Sequence, residues 1–401
     1  MLNLEQIKDL AIQTPMKIVL LVIDGLGGLP KPDTGKTELE TARTPNLDSL
    51  ASKGICGMID PISPGITPGS APGHLTLFGY DPLKYTVGRG ILEVLGIDFD
   101  VKSNDVAARG NFCTTDSNGL VADRRAGRIS TEKNAELCTI LSDIKPDGAE
   151  LHVIPIREHR FALVFRGDGL SGDVSDSDPQ QIGMAPKTMV ALSPTAEKTA
   201  ALANEFADGA KAALAGHHPA NMVLLRGFSQ HPDFPSMGDI YKLNAAAIAA
   251  YPMYRGLAKL VGMKALDTGA SVEEEFKTLS QNYADYDFFF VHVKKTDSAG
   301  EDGDFDAKVR ALEEVDTLLP GLTKLEPDVI VVASDHSTPA ILKAHSWHPV
   351  PVILYSKWCR PDHVKEFSEP ACSSGALGRL PAVEVMPLAM AHALKLAKFG
   401  A

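Results

Sequence analysis

The chain has no long apolar run, no cysteine framework and no basic surplus, and each absence removes a class of protein. Nothing along its 401 residues approaches the length needed to span a bilayer, so no membrane partner is expected. The five cysteines (Cys56, Cys113, Cys138, Cys359 and Cys372) are odd in number, scattered, and form no CxxC pair. That argues against a disulfide scaffold and against a thiolate metal site. A net charge of −12 disfavours nucleic acid, because backbone phosphates need a basic face. The first residues, MLNLEQIKDLAIQTP, carry Glu5, Lys8 and Asp9 where a secretory leader would be apolar. The expected setting is cytoplasmic. A small anionic substrate stays open, since it needs only a local cluster of arginine or lysine.

What is present reads as a globular α/β protein, with 44% apolar and 22% charged residues. Its length exceeds one ordinary core, so two domains are expected, one inserted into the other. Lys17–Ile23, Asp287–Val293 and Asp328–Ser334 are short apolar runs, as strands buried on both faces are. Helical patterns cover residues 2–13, the segment after Thr44-Pro45, and the stretches Ala245–Val261, Val272–Ala284, Asp306–Leu319 and Val383–Phe399. Thr44 is the expected cap of its helix. Strands alternating with helices predict a mostly parallel sheet sandwiched by helices. From residue 101 the texture changes to shorter strands between arginine-rich loops. The expected division is therefore a core of residues 1–100 and 238–401, with a smaller α+β insertion over 101–237.

The exits of the apolar strands carry the chemistry. Asp24 follows KIVLLVI, Asp297 follows DFFFVHVKKT, and Asp335-His336 follows DVIVVAS, with His345 a few residues on. In a parallel sheet the carboxyl ends of the strands share one edge, so distant residues can converge there. With Glu301 added, the oxygen and nitrogen donors suffice for two divalent metal ions, which together clamp the attacking and leaving oxygens of a phosphoryl transfer. Ser70, in the Pro/Gly-rich stretch PGSAPGH ahead of a helical turn His74–Phe78, is the candidate nucleophile.

The segments VIDGLGG, TPNLDSLA, PGSAPGHLTLFGYDP, DRRAGRI, GLSGDVSDSDP, KTDSAGEDG, SDHSTP and HSWHPVPVIL stand in that order. In them the chain resembles the alkaline phosphatase superfamily and, more narrowly, the archaeal-type 2,3-bisphosphoglycerate-independent phosphoglycerate mutases. The resemblance implies an alkaline-phosphatase-like core with a substrate-binding lid as the insertion. It implies one metal held by Asp24, Ser70, Asp335 and His336, and a second by Asp297, His345 and the residue at position 301. It implies a phosphoryl group moved between the 3- and 2-hydroxyls of glycerate through a phosphoserine, without 2,3-bisphosphoglycerate. Arg124, Arg125, Arg226, Arg160 and Lys295 are the expected grips on carboxylate and phosphate, because planar guanidiniums bind both bidentately. Asp123 is the expected base. The family pattern TDxAGHDG has histidine where this chain has Glu301. An anion in place of an imidazole hardens that position and favours Mn²⁺ or Mg²⁺ over Zn²⁺ or Co²⁺. A phosphatase or another phosphomutase of the superfamily, or a metal-compromised homologue without activity, are the competing readings.

Other polar groups read as structural. Asp302, Asp304, Asp306 and Glu313 match a calcium-loop spacing, but Ala307 stands where its glycine is required, so these acids are expected to cap a helix. GDVSDSDP reads as turns, His292 as a satisfied core histidine, and His74 as a brace of the nucleophile loop.

Overall fold

The structure, a computed structural model, describes residues 3–400. It divides into two compact units, Met1–Thr86 with Phe234–Ala401, and Val87–Asp233. Strands are numbered along the chain: β1 (Ile18–Ile23), β2 (Ile55–Asp60), β3 (Asp105–Thr115), β4 (Val121–Asp123), β5 (Glu150–Arg157), β6 (Arg160–Arg166) and β7 (Met222–Gln230). Then follow β8 (Ala245–Ile248), β9 (Lys264–Ala265), β10 (Phe288–Val293), β11 (Val329–Ala333), β12 (Val350–Ser356) and β13 (Gly378–Pro381).

The first unit is built on one sheet in the order β13-β2-β12-β11-β1-β10-β8-β9. β1 lies between β10 and β11, parallel to both, and β8 is parallel to β10. β12 alone runs against its neighbours β11 and β2. The carboxyl ends of β2, β11, β1, β10 and β8 therefore share one edge, and β12 enters the sheet from that same edge. β1, β10 and β11 are buried at every position, as the apolar runs require of strands covered on both faces.

Several boundaries differ from those predicted. Ala245–Val261 is not one helix: Ala245–Ile248 is strand β8, and a helix follows over Pro252–Leu260 with proline in its first turn. Ala245, Ala246 and Ala247 pair with Phe288, Phe289 and Phe290, so the small side chains sit beside a phenylalanine wall. Pairing with β10 outweighs the helix propensity of alanine. The first helix spans Leu4–Leu10, and Leu2 lies outside the described residues. It stops there because Ile12 N–H donates to Lys395 O and Ala397 N–H to Leu10 O, tying both terminal segments together. The same pairing ends the last helix at His392, well short of Phe399. Thr44 makes no side-chain cap; the Asp316 carboxylate accepts from Asn46 N–H and Leu47 N–H at 3.0 and 2.8 Å instead. Asp304 caps helix Phe305–Thr323 by accepting from Ala307 N–H at 2.8 Å with Asp306 in its first turn, whereas Asp302 ends the preceding helix and Glu313 accepts from Arg43 N–H.

The second unit is an antiparallel sheet, β4-β3-β6-β5 with β7 on the other side of β3. Helices Thr131–Leu141 and Glu197–Ala213 contribute Leu137 and Phe206 to a core shared with Phe112, Phe161 and Phe165. This unit starts at Val87 rather than residue 101 and ends at Asp233. Helix Arg89–Gly96 belongs to it because Ile91 N–H donates to Ser229 Oγ at 3.2 Å, and a Cβ on Gly90 would lie 2.2 Å from Ala107 O. Among the described residues, no helix is long and apolar enough to cross a membrane.

Candidate active site

The shared edge of the first sheet gathers the strand-exit residues. Asp24 directly follows β1, and its N–H donates to Val293 O at 3.0 Å, extending the β1–β10 pairing to the exit. Gly25 then turns the chain at a φ of +67°, where a Cβ would stand 2.6 Å from Thr338 Oγ1. Asp297 lies in the first turn of helix Lys295–Asp302, just past β10. Asp335 and His336 lie just past β11, and the loop back to β12 carries His345. Ser70 is the first residue of helix Ser70–Leu77, reached from the exit of β2. That helix approaches so closely that a Cβ on Gly73 would lie 2.3 Å from Asp335 O.

Among the described residues the expected donors form two overlapping clusters, Asp24 with Asp335 and His336, and Asp297 with His336 and His345, and Asp24 also groups with His74 and His292. His336 Nε2 lies 3.3 Å from Ser70 Oγ, 3.4 Å from Asp24 Oδ1 and 3.0 Å from Asp335 Oδ2. Its tautomer follows from hydrogen-bond accounting. Thr338 Oγ1 donates its single proton to Asp297 Oδ1 at 2.6 Å, so the 2.9 Å contact to His336 is donated by Nδ1–H. Nε2 is thereby turned to the cluster. His345 obeys the same rule: Nδ1 donates to Pro68 O at 3.0 Å, and Nε2 faces Asp297 Oδ1 at 3.6 Å and Glu301 Oε1 at 3.7 Å. Glu301 stands one helical turn beyond Asp297, at the exposed rim of that cluster.

Two atoms decide what the pocket is built for. Asp24 Oδ1 is buried and accepts no hydrogen bond, and the equally buried Asp335 Oδ2 meets only the imidazole edges of His336 and His74, at 3.0 and 3.1 Å. A buried carboxylate oxygen left so is costly unless another cation or donor meets it. Hard carboxylate oxygens beside imidazole Nε2 atoms suit a divalent metal, so the residues present fit the group that the sequence implies. The neighbouring side chains hold the acids ionised and the His336 imidazole cationic. Burial and the Asp335 charge push the Asp24 pKa upward, but Lys294, His292 and His336 overcome them and hold it far below the carboxylate range. Burial lowers the His336 pKa, yet Asp335, Asp24 and Asp297 win and push it up to about 9.

Side chains read as structural from sequence turn out to serve this edge. His292 Nε2–H donates to Asp24 Oδ2 at 3.0 Å, with burial as the main cause of its lowered pKa. His74 Nδ1–H donates to Ser70 O at 2.8 Å and lies 3.1 Å from Asp335 Oδ2, so it braces the nucleophile turn, as expected, and the neighbouring acid too. Of the two adjacent lysines, Lys295 is the one expected at the substrate, and Lys294 carries no expectation. Lys295 points away and pairs with Glu314, whereas Lys294 Nζ reaches Asp24 Oδ2. The chain leaves β10 at this point, and a one-residue step reverses the side of a side chain. The strand-end position of Lys294 was the available signal.

The remaining candidates lie in the second unit. Asp123 ends β4, and its carboxylate accepts from Arg125 N–H and Gly127 N–H at 2.8 and 2.7 Å, shaping the turn that presents the arginines. Arg124 grips the buried Asp178 bidentately at 3.0 and 2.6 Å, and Arg226 Nη1 lies 3.4 Å from the same carboxylate. GDVSDSDP is thus more than a set of turns, since it supplies the anchor for two arginines. His159, almost fully buried, has its pKa lowered to about 4 by burial and then by Arg160, Arg109, Arg125 and Arg128. These guanidiniums make the surroundings of His159 positive. Because its folded pKa is depressed, the neutral His159 contributes stability above pH 6.5 that is lost as pH falls towards 4. Urea unfolding at pH 7 and pH 5 should show a loss on the order of 1 kcal/mol that His159→Gln removes. An identical pH slope in the variant would disprove the assignment.

This architecture is shared with known proteins. The family described as 2,3-bisphosphoglycerate-independent phosphoglycerate mutase matches residues 51–221. A chain of Thermosipho africanus named "Probable 2,3-bisphosphoglycerate-independent phosphoglycerate mutase" is 51% identical over 98% of both chains. One of Thermus thermophilus with the same name is 50% identical, again over 98% of each. Among solved structures, a Pyrococcus horikoshii protein superposes with a TM-score of 0.84 at 30% identity, covering 96% of this chain and 99% of that one. The cofactor-independent phosphoglycerate mutase of Thermoplasma acidophilum superposes with a TM-score of 0.71 at 30% identity, covering 94% and 100%. On this full-length likeness, the chain belongs to the 2,3-bisphosphoglycerate-independent phosphoglycerate mutase family.

Proposed function

We propose that this protein interconverts 3-phosphoglycerate and 2-phosphoglycerate through a phosphoserine on Ser70, with two divalent metal ions and no 2,3-bisphosphoglycerate. The observation that carries the reading is Ser70 Oγ at the start of its helix, 3.3 Å from His336 Nε2, which itself clusters with the Asp24 and Asp335 carboxylates. Asp24, Ser70, Asp335 and His336 would hold one ion, and Asp297, His345 and Glu301 the other. When bound, the ions lower the pKa of the serine hydroxyl and offset charge on the phosphoryl oxygens.

Ser70 Oγ, giving up its proton, attacks phosphorus, the bond to the C3 oxygen breaks, and that oxygen takes up one proton in exchange, so that glycerate leaves phosphorus with a neutral hydroxyl. The 2-hydroxyl, losing its proton to a base for which Asp123 is the candidate, then attacks the phosphoserine and the Oγ–P bond breaks. Arg124, Arg125, Arg160 and Arg226 are assigned the grip on carboxylate and phosphate, and the second unit the exclusion of water. Lys295, held on Glu314, is the weakest of the substrate candidates. The test supplies 3-phosphoglycerate and Mn²⁺ without 2,3-bisphosphoglycerate and couples the product to enolase, while mass spectrometry looks for phosphoserine at Ser70. Release of free phosphate with no 2-phosphoglycerate would make the protein a phosphatase instead.

Glu301 sets a separate expectation. Its exposed carboxylate at the rim of the second cluster favours hard ions. Glu301→His should move the ratio of Zn²⁺- to Mn²⁺-supported turnover upward by about tenfold. An unchanged ratio would show that this position does not select the metal.

A further inference from the structure

The Asp24 and Asp297 carboxylates, one from each donor cluster, meet at a single cation, the Lys294 ammonium. Its Nζ donates to Asp24 Oδ2 at 3.1 Å, to Asp297 Oδ2 at 2.5 Å and to Tyr254 Oη at 2.8 Å. An ammonium has three N–H donors, and these are three acceptors, so the group is fully committed. The partners are themselves fixed. Tyr254 is fully buried and stacks on His292 at 3.7 Å between centroids, and His292 holds the same Asp24 Oδ2. The other oxygens point elsewhere: Asp24 Oδ1 is unpartnered and 3.4 Å from His336 Nε2, and Asp297 Oδ1, which accepts from Thr338 Oγ1 at 2.6 Å and keeps a second lone pair, lies 3.6 Å from His345 Nε2.

We infer that Lys294 is a positioning residue that sorts the carboxylate oxygens of both clusters, keeping Oδ2 of Asp24 and of Asp297 and leaving one oxygen of each to a metal ion. The inference rests on the two-metal reading above. It has a cost that gives it a measurable signature. A fixed positive charge sharing carboxylates with the ions repels them, so Lys294 restrains metal affinity while it imposes one-oxygen binding. A residue needed only to keep the pocket folded would do the reverse, since its loss would weaken metal binding. Direction alone therefore separates the two roles.

The experiment titrates chelator-treated full-length protein with Mn²⁺ alone, following free Mn²⁺ by electron paramagnetic resonance. Lys294→Met and Lys294→Gln should each bind Mn²⁺ at least about tenfold tighter than wild type, because the like charge is gone and the Oδ2 atoms are released. Lys294→Arg, which keeps the charge, should stay within about threefold. The bound-Mn²⁺ line shape should change in the methionine and glutamine variants as coordination spreads to the second oxygens. The glutamine variant retains an amide donor, so it decides the matter should the methionine variant not fold. Wild-type or weaker affinity in the neutral variants would overturn the inference while leaving the metal site standing. A wild-type protein that takes up no Mn²⁺ would remove the metal reading, and this inference with it.

Discussion

Replacing Ser70 by alanine is expected to lower turnover by at least about 10⁴-fold while leaving the fold in place. The loss is large because Ser70 Oγ is the hydroxyl that faces His336 Nε2, at 3.3 Å, whereas Thr338 Oγ1 is committed to Asp297 and the far nitrogen of that ring. The fold should be spared because Ser70 caps nothing. The N-cap of its helix is Gly69, which makes no side-chain bond, and alanine is a good residue in a first helical turn. Metal binding should weaken only modestly, since a neutral hydroxyl is lost while Asp24, Asp335 and His336 remain. Three measurements read this out: steady-state rate, mass of the substrate-trapped protein, and Mn²⁺ stoichiometry. A variant that keeps turnover within about tenfold of wild type would place the nucleophile elsewhere.

The second large effect is expected at Gly73, which has no side chain to take part in the chemistry. In an ordinary helix, glycine to alanine stabilises by about 0.5–1 kcal/mol. Here the sign should invert. A Cβ on Gly73 would meet Asp335 O at 2.3 Å and the Asp335 carbonyl carbon at 3.0 Å, and these are backbone atoms with no rotamer to yield. Relief must come from moving helix Ser70–Leu77 away from the exit of β11, at a cost of about 1–3 kcal/mol. Ser70 moves with it, and a displacement of about 1 Å in a reacting group costs about 10²-fold in rate. Gly73→Ala should therefore show a lowered melting temperature and a rate reduced by about two orders of magnitude together. An equally active and more stable Gly73→Ala would mean that the close approach is not maintained.

Both predictions concern a site whose members are legible in the chain and whose arrangement is not. KIVLLVI, DFFFVHV and DVIVVAS announce buried strands because every position is apolar, and an acid placed immediately after each is conspicuous. That these exits meet depends on strand order. β10, β1 and β11 are parallel neighbours, a pairing of residues far apart in the chain. The antiparallel entry of β12, which returns His345 to the same edge, has no local signal either.

Local patterns failed where a neighbour outweighed propensity. Ala245–Ile248 has alanine's preference for helix and becomes a strand beside three phenylalanines. Asp316, remote in sequence, caps the helix at Pro45 in place of Thr44. Asp178, within an apparent string of turns, is the buried anion that orients Arg124 and Arg226.

The sequence by itself determined the fold class, the strand exits and the residue types of the donor clusters, because hydrophobic runs and the chemistry of aspartate, histidine and serine are local properties. Only the tertiary structure decided which atoms face which. Thr338 and Pro68 turn Nε2 of His336 and His345 to the clusters, and Lys294 rather than Lys295 takes the second oxygens of Asp24 and Asp297. Those choices are made by hydrogen bonds between segments that meet only when the sheet is assembled, and a buried polar atom's partner is set by what packs against it.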